Sequence, residues 1–460
     1  MSAGEMPDRT RPPGPGPLRP FHFPDVHRRR LDNGLQVLVA ETHAFPVATL
    51  DLILPSGALA EPEDRAGSAS LAAGLLESGA GDRDAAQIAE TVDALGLALD
   101  SGSSWDTTLA GFTSLTSRLE AGMGILADLV MRPTFPEREV ERIRGERLAA
   151  LAQRRADPSS VADELVTHYT FPQGHPFGRR LAGTAATLGV LERGDAQAFH
   201  AAHYVPQGAW LCAAGDVTAD EVAEMAERAF GGWRGAPPPP RVPPTAPRFE
   251  QTTLLLADRP GAVQSEVRVG HLGIPRMADD FFAATVMNAI LGGVFASRLN
   301  LNLRERLGYT YGASSSWGLR KLPGTFVVSS AIQSDKTAHA VSEMLRDMRD
   351  LQETLAPADE VADAAGFLAG IFPLQQQTTD GLAGRLSTLA VYGLPDDYFD
   401  HYREGLLAVT PHDVRETARR RLMPDRAAVV VVGDASELRG PLEALGIGPV
   451  EVIDADAVLG

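Results

Sequence analysis

His200 and His203, three residues apart, have the most metal-like spacing in this 460-residue chain. On a helix over residues 196–204 they would share a face, and imidazole is the commonest metal ligand. A site needs a third donor, and the nearest acids, Asp195 and Glu192, lie at other angles or a turn back. A packing helix with structural histidines is the expectation. His168 and His175 flank the loop Tyr169-Thr170-Phe171-Pro172-Gln173-Gly174, where a turn role fits better than ligation. The runs Ser314-Ser315-Ser316 and Ser101-Gly102-Ser103-Ser104 could suggest a nucleophile. Neither sits in a G-x-S-x-G elbow, and no His/Asp partner can be assigned. Gly292-Gly293 lacks the lysine and hydroxyl of a phosphate loop. Cys212 is the only cysteine, which excludes an intrachain disulfide and a thiolate zinc cluster. It reads as a small buried hydrophobe.

The elements that would position any site fall into two parts. A chain of this length exceeds what one core usually fills, so two domains of about 200 residues are expected. The segment Trp233 to Phe249, WRGAPPPPRVPPTAPRF, lacks the amide donors of a helix or central strand and reads as a linker. The expected division is a disordered tail over 1–20, one lobe over 21–232, the linker over 233–249 and a second lobe over 250–460. The formal charge of −18 argues against nucleic acid and anionic membrane surfaces as partners. Basic or neutral peptides remain allowed. The Pro- and Gly-rich N-terminus has no apolar signal region, and no stretch reaches the roughly 18 apolar residues of a span. A cytoplasmic protein is the expectation.

The two parts read as weak repeats of one plan. Strand signals open the first at 35–39 and 47–54, and the second at 253–257 and 265–270. Each closes on a buried-strand phrase stopped by Gly-Asp, at Gly215-Asp216 and at Gly433-Asp434. Helical segments lie between, including 358–368 and 411–422, the latter with Thr410 as N-cap and Pro411 at its first position. The fold class is α+β: two homologous lobes, each a mostly antiparallel sheet packed with helices, forming a half-shell or clamp.

From about Leu31 to Leu438 the order of motifs resembles the pitrilysin and mitochondrial processing peptidase family, the inverted zincins. The resemblance rests on Leu31-Asp32-Asn33-Gly34-Leu35-Gln36-Val37, on Leu303 to Tyr311 (LRERLGYTY), and on the two Gly-Asp endings. The family's chemistry rests on H-x-x-E-H on a helix, with two histidines holding zinc and the glutamate activating its water. A further glutamate on a downstream helix completes the metal shell. Anchored on Gly67 and Gly79, the matching positions here hold Ser70, Ala73 and Gly74. Anchored on Asp157-Pro158, the downstream ligand falls on Ala149 or Ala150, with Glu146 the nearest carboxylate. The resemblance thus implies a degenerate zinc motif and no metal in this chain.

The family's active sites also use an arginine and a tyrosine seven residues apart, from a lobe facing the zinc. Arg304 and Tyr311 stand at that spacing, with Tyr309 a rival for the tyrosine role. The family also grips substrates as an added strand on a sheet edge, and residues 101–115 match that region. The resemblance therefore implies a non-zinc-binding subunit of a heteromeric endopeptidase, inactive alone. Arg304 and Tyr311 would complete the site of a zinc-bearing homologous partner and act on an extended peptide. The alternative is a structural or peptide-binding subunit like the core proteins of respiratory complexes. The bland reading of the pair is a surface charge beside Glu305 and a tyrosine in the core.

Overall fold

The computed structural model describes residues 16–243 and 246–459. The greater part of the expected N-terminal tail, residues 1–15, lies outside the described residues, as do 244–245 of the proline-rich segment. In the first half β1 (Val26–Arg30), β2 (Gln36–Glu41) and β3 (Val47–Leu54) are followed by a two-stranded hairpin, β4 (Gly79–Ala80) and β5 (Arg83–Asp84). Then come β6 (Ala98–Ser103), β7 (Thr108–Leu115) and β8 (Trp210–Gly215). The second half holds β9 (Thr253–Asp258), β10 (Gln264–Leu272), β11 (Ala313–Trp317), β12 (Thr325–Gln333), β13 (Ala428–Gly433) and β14 (Val450–Ile453).

Two six-stranded sheets result, ordered β1-β2-β8-β3-β7-β6 and β11-β12-β10-β13-β9-β14. Read from opposite ends the orders correspond. The last strand of the first sheet, β8, pairs parallel with β2 and antiparallel with β3, just as β13 pairs parallel with β9 and antiparallel with β10. The repeat legible in the sequence is thus a repeat of topology, and the α+β fold with two helix-packed sheets is as expected.

Alternation along β3 sends Ala48, Leu50, Leu52 and Leu54 into the first core, while Ile53 faces the other way into a different cluster. The run of β13 is apolar on both faces: Val429 and Val431 join the second core, and Ala428, Val430 and Val432 join another cluster. A strand covered on both sides needs no polar residues, which is why this run reads as continuous.

The second face of each sheet is covered from the other half of the chain. The helix Pro158–Thr170, started by Asp157 capping the Ser160 amide at 2.9 Å, lays Val161, Leu165 and Val166 against Val430 and Val432. Gly270 on β10 permits this approach, since a Cβ there would lie 2.2 Å from a Val166 methyl. Reciprocally, the helix Thr379–Tyr392 lays Leu382, Ala383, Leu386 and Leu389 on Leu38, Ala40, Cys212 and Ala214. Each fully buried aliphatic side chain contributes roughly 1.5–3 kcal/mol. The proline-rich segment separates the two sheets in sequence, but these helices tie the halves into one packed body.

Candidate functional site

Two constellations carry the site residues expected from sequence. The first lies on the helix Ser68–Gly74. Gly67, at φ +99°, leads into it, and a Cβ there would lie 2.5 Å from the Ala182 carbonyl. The amides of Gly67 and Ala69 donate to the Glu61 carboxylate at 3.0 and 2.7 Å, and Arg179 Nη2 donates to it at 2.8 Å. Glu61 is 1% exposed. Burial pushes its pKa up, against the pull of Arg179 and the two amides.

Ser70, Ala73 and Gly74 follow at helical spacing on one face, the serine half-buried, the alanine buried and the glycine exposed. Ala150 lies exposed on the helix Glu137–Ala156, three positions after Arg147. That arginine is what reaches the motif helix. Its Nη2 donates to the Ser70 carbonyl at 2.6 Å and would meet a Cβ on Gly74 at 3.2 Å. Burial lowers its pKa and the field of Glu61 opposes the shift. The two nearby acids are engaged elsewhere, Glu146 with Arg142 at 2.7 Å and Glu77 with the Ser101 hydroxyl at 3.4 Å. A donor set of one hydroxyl, with a guanidinium lodged among the positions, does not fit zinc, which wants imidazole, thiolate or carboxylate.

The second constellation lies in a π-helical turn, Asn300–Arg306, between β10 and β11. Leu303 is fully buried and anchors the turn. Asn300 clamps it to β11, its Nδ2 donating to Ala313 O at 2.8 Å and its Oδ1 accepting from Ala313 N at 3.0 Å. Arg304 stands partly exposed, its guanidinium 4.6 Å from the Phe295 ring centroid and its Nε 3.6 Å from Glu305. Gly308, at φ +67°, ends the turn.

Beyond it the Thr310 hydroxyl donates to Gly312 O at 2.8 Å and accepts from Gly312 N at 3.0 Å. The tight bend lifts Tyr311 to its tip, where it is 92% exposed. Tyr309 is occupied instead, its hydroxyl 2.9 Å from His339 Nδ1 and its ring packed against the second core. A tyrosine in the core at position 311 is therefore excluded.

The elements packed most closely on Ser68–Gly74 belong to the first half, and those on Asn300–Arg306 to the second. The chain does not merge the two constellations into one site. Sequence reasoning missed Arg147, one of many charges along its helix. It also missed Phe295, 72% exposed beside Arg304.

The remaining candidates are structural. His200 Nε2 lies 2.7 Å from Val130 O, and His203 Nδ1 lies 2.7 Å from the Ser56 hydroxyl. The H-x-x-H nitrogens thus serve separate partners. Burial lowers the pKa of both imidazoles. His175 Nδ1 accepts from Phe177 N at 3.1 Å inside its turn. Burial pushes the Cys212 thiol up to about 12, as suits an inert core residue. Ser101 and Ser103 lie on β6, the edge strand of the first sheet. Among the described residues, no group of three His, Cys, Asp or Glu side chains is disposed to hold a metal.

The fold is a duplicated sheet-and-helix body with a motif helix in one half and an Arg304/Tyr311 turn in the other. The family model described as Insulinase (Peptidase family M16) matches residues 36–185, and that described as Peptidase M16 inactive domain matches 191–366. The chain belongs to the peptidase M16 family, the pitrilysin type. It is 27% identical over 414 residues to an uncharacterized zinc protease of Streptomyces coelicolor, covering 89% of each chain. Over 271 residues it is 24% identical to cytochrome b-c1 complex subunit 1, mitochondrial, of Bos taurus, covering 58% of this chain and 56% of that one. A peptidase M16 inactive domain from Pseudomonas fluorescens superposes with a TM-score of 0.84 at 23% identity, covering 89% of this chain and 98% of that one. A protease from Helicobacter pylori does so with 0.79 at 18% identity, covering 89% and 99%. Among the described residues, no helix is long and apolar enough to cross a membrane.

Proposed function

We propose that the chain is the zinc-less subunit of a heteromeric M16 endopeptidase, contributing Arg304 and Tyr311 to a site whose metal a homologous partner holds. The observation that carries this reading is the display of Tyr311. Its side chain is 92% exposed at the tip of a hydrogen-bonded bend, shortly after the Leu303-anchored turn that presents Arg304. A tyrosine ring held this far into solvent buries little of its area and adds little to the stability of the fold. In a paired site the Arg304 guanidinium would donate two parallel hydrogen bonds to substrate carbonyls. The Tyr311 hydroxyl would donate one to the oxyanion of the tetrahedral intermediate. The partner's zinc would supply the activated water. In this reading Ser70, Ala73, Gly74 and Ala150 are the degenerate metal positions, and the substrate is an extended peptide.

The test is cleavage of an unstructured peptide by the chain alone, by an H-x-x-E-H homologue alone, and by the two mixed. Activity should appear on mixing. Tyr311→Phe should lower kcat about 10²–10³-fold, the usual loss for one oxyanion donor. Its melting temperature should not move, because the residue is bare. Zinc-dependent cleavage by the chain alone would sink the proposal. The likeness to the bovine b-c1 subunit favours a second reading, a structural subunit. That reading gains if Arg304→Ala and Tyr311→Phe leave both assembly and activity of the mixed complex unchanged.

A further inference from the structure

A cavity of about 680 Å³ opens where the first half meets the β11–β12 hairpin of the second. Its lining concentrates positive charge in a protein of net charge −18, for it includes Arg154, Arg179, Arg180, Arg241 and Arg320. Three of these are spoken for by carboxylates. Arg154 and Arg180 hold Glu164 at 2.9 and 3.0 Å, and Arg179 holds Glu61 at 2.8 Å. Asp163, also on the wall, is held by Arg268 at 2.6 Å.

Among the described residues Arg241 and Arg320 have no such partner. Arg241 donates to a backbone carbonyl, Glu61 O, at 3.1 Å. The Arg320 guanidinium lies over the rings of Phe177 and Trp105, 4.3 and 5.0 Å from their centroids. Its Nη1 is buried with no hydrogen-bond partner among the described residues. Asp106 attracts it through space, yet Asp106 Oδ2 accepts from Lys321 N at 2.9 Å and no ion pair forms. Burial pulls the pKa of Arg320 down to about 10, so it stays charged at neutral pH.

The third group is His175, 7% exposed and stacked on Phe171 with ring centroids 4.8 Å apart. Because its Nδ1 accepts from Phe177 N, its Nε2 carries the proton in the neutral ring. That Nε2 is likewise buried without a partner. Arg320 and Arg241 line the same cavity as His175, and burial lowers the His175 pKa, with the fields of the two cations lowering it further. Glu63 is the remaining acid on the wall, and it lies exposed at the rim.

Three groups thus line one hollow: Arg320 and His175, each with an orphaned buried donor, and Arg241, whose guanidinium has no carboxylate partner among the described residues. A buried donor left without an acceptor is destabilising, so such a cluster persists at a cost unless something accepts from it. We propose that this cavity is a binding site for a small oxyanion, a carboxylate or a phosphate, accepted by Arg241, Arg320 and His175 Nε2. The hollow exceeds one ion, and Trp105, Pro172 and Leu181 supply an apolar wall for the body that carries the charge. The site is independent of the roles given to Arg304 and Tyr311.

The experiment is calorimetric titration of the full chain with three probes: inorganic pyrophosphate, N-acetyl-phenylalanine, and N-acetyl-phenylalanine amide. At least one of the two anions should give a saturable isotherm, and the neutral amide should give none. Binding of pyrophosphate alone identifies a phosphate ligand, and binding of the free acid identifies a carboxylate. Arg320→Gln and Arg241→Gln should each weaken binding about tenfold or more, as expected for one charge-assisted contact. Arg320 sits at the junction of the halves, so Arg241→Gln, on an exposed segment, keeps the test decisive if the other variant fails to fold. Silence from both anions at millimolar concentration would overturn the proposal. So would an amide that binds like the acid, or an Arg241→Gln chain that binds like the wild type.

Discussion

The motif helix of the first half, between β3 and β6, and the Arg304 turn of the second, between β10 and β11, occupy corresponding places in the two sheets. They treat charge in opposite ways. Around Ser68–Gly74 the charged groups are spent internally: Glu61 on Arg179 and two amides, Arg147 on the Ser70 carbonyl. Around Asn300–Arg306 the anchoring residues, Leu303 and Asn300, are buried, while Arg304 and Tyr311 face outward. The first region spends its charges on its own backbone and side chains; the second leaves Tyr311 bare and Arg304 partly exposed, with only Phe295 and Glu305 beside it among the described residues.

Restoring the family's ligands to the first half is the most severe way to break this contrast, and its expected effect is all-or-none. Ser70→His, Ala73→Glu, Gly74→His and Ala150→Glu together should bind no zinc while Arg147 remains, because its guanidinium already lies against Ser70 and Gly74. Adding Arg147→Ala should give close to one zinc per chain by metal analysis. Stoichiometric zinc with Arg147 intact would show that this arginine does not guard the place. Next in size is Glu61→Ala. Removing one member of a buried charge pair typically costs about 3–5 kcal/mol. The chemical-denaturation midpoint should fall accordingly, with cleavage by the proposed complex lost only where folding is lost. Tyr311→Phe should do the reverse, and a pair of variants with matching effects would erase the distinction between the regions.

How much of this was legible from sequence depends on the range of the interaction. Strand β3 was readable to the residue, because alternation over Val47–Leu54 is a local property. The Thr410 cap was equally plain, and its hydroxyl does accept from the Asp413 amide, at 3.2 Å. The covering of one half's sheet by the other half's helix was not readable. An apolar face on Pro158–Thr170 announces that it will be buried, yet nothing in its pattern names β13 as the surface. Arg147 was hidden for a similar reason. In sequence it looks like Arg142 and Arg144, and only the packing angle of its helix turns it toward Ser70. Spacing to Arg304 favoured Tyr311 over Tyr309, while the exposure of one and the engagement of the other come from the Gly308 and Thr310–Gly312 bend.

The smallest expected effect tests the seam that makes the two regions one molecule. Asp51 lies on the face of β3 that the Thr379–Tyr392 helix covers, beside Thr49, whose hydroxyl donates to Asp380 at 2.8 Å. Burial, with the fields of Asp380 and Asp100, pushes the Asp51 carboxyl from an ordinary 3.8 to about 7. A group whose folded pKa is raised contributes stability that is full below the unfolded value and is lost as pH rises through the folded one. The wild type should therefore weaken between about pH 4 and pH 7. Asp51→Asn, which carries no charge to bury, should be more stable than the wild type above neutrality by about 1–3 kcal/mol. The advantage should shrink toward pH 4. Urea midpoints at pH 4.5 and 8.5 measure both arms. An advantage of equal size at both pH values would mean that Asp51 titrates as an open carboxylate. The Thr379–Tyr392 helix would then not be seated on β3, and the packing of Pro158–Thr170 on β13 would be the tie that remains beside the proline-rich segment.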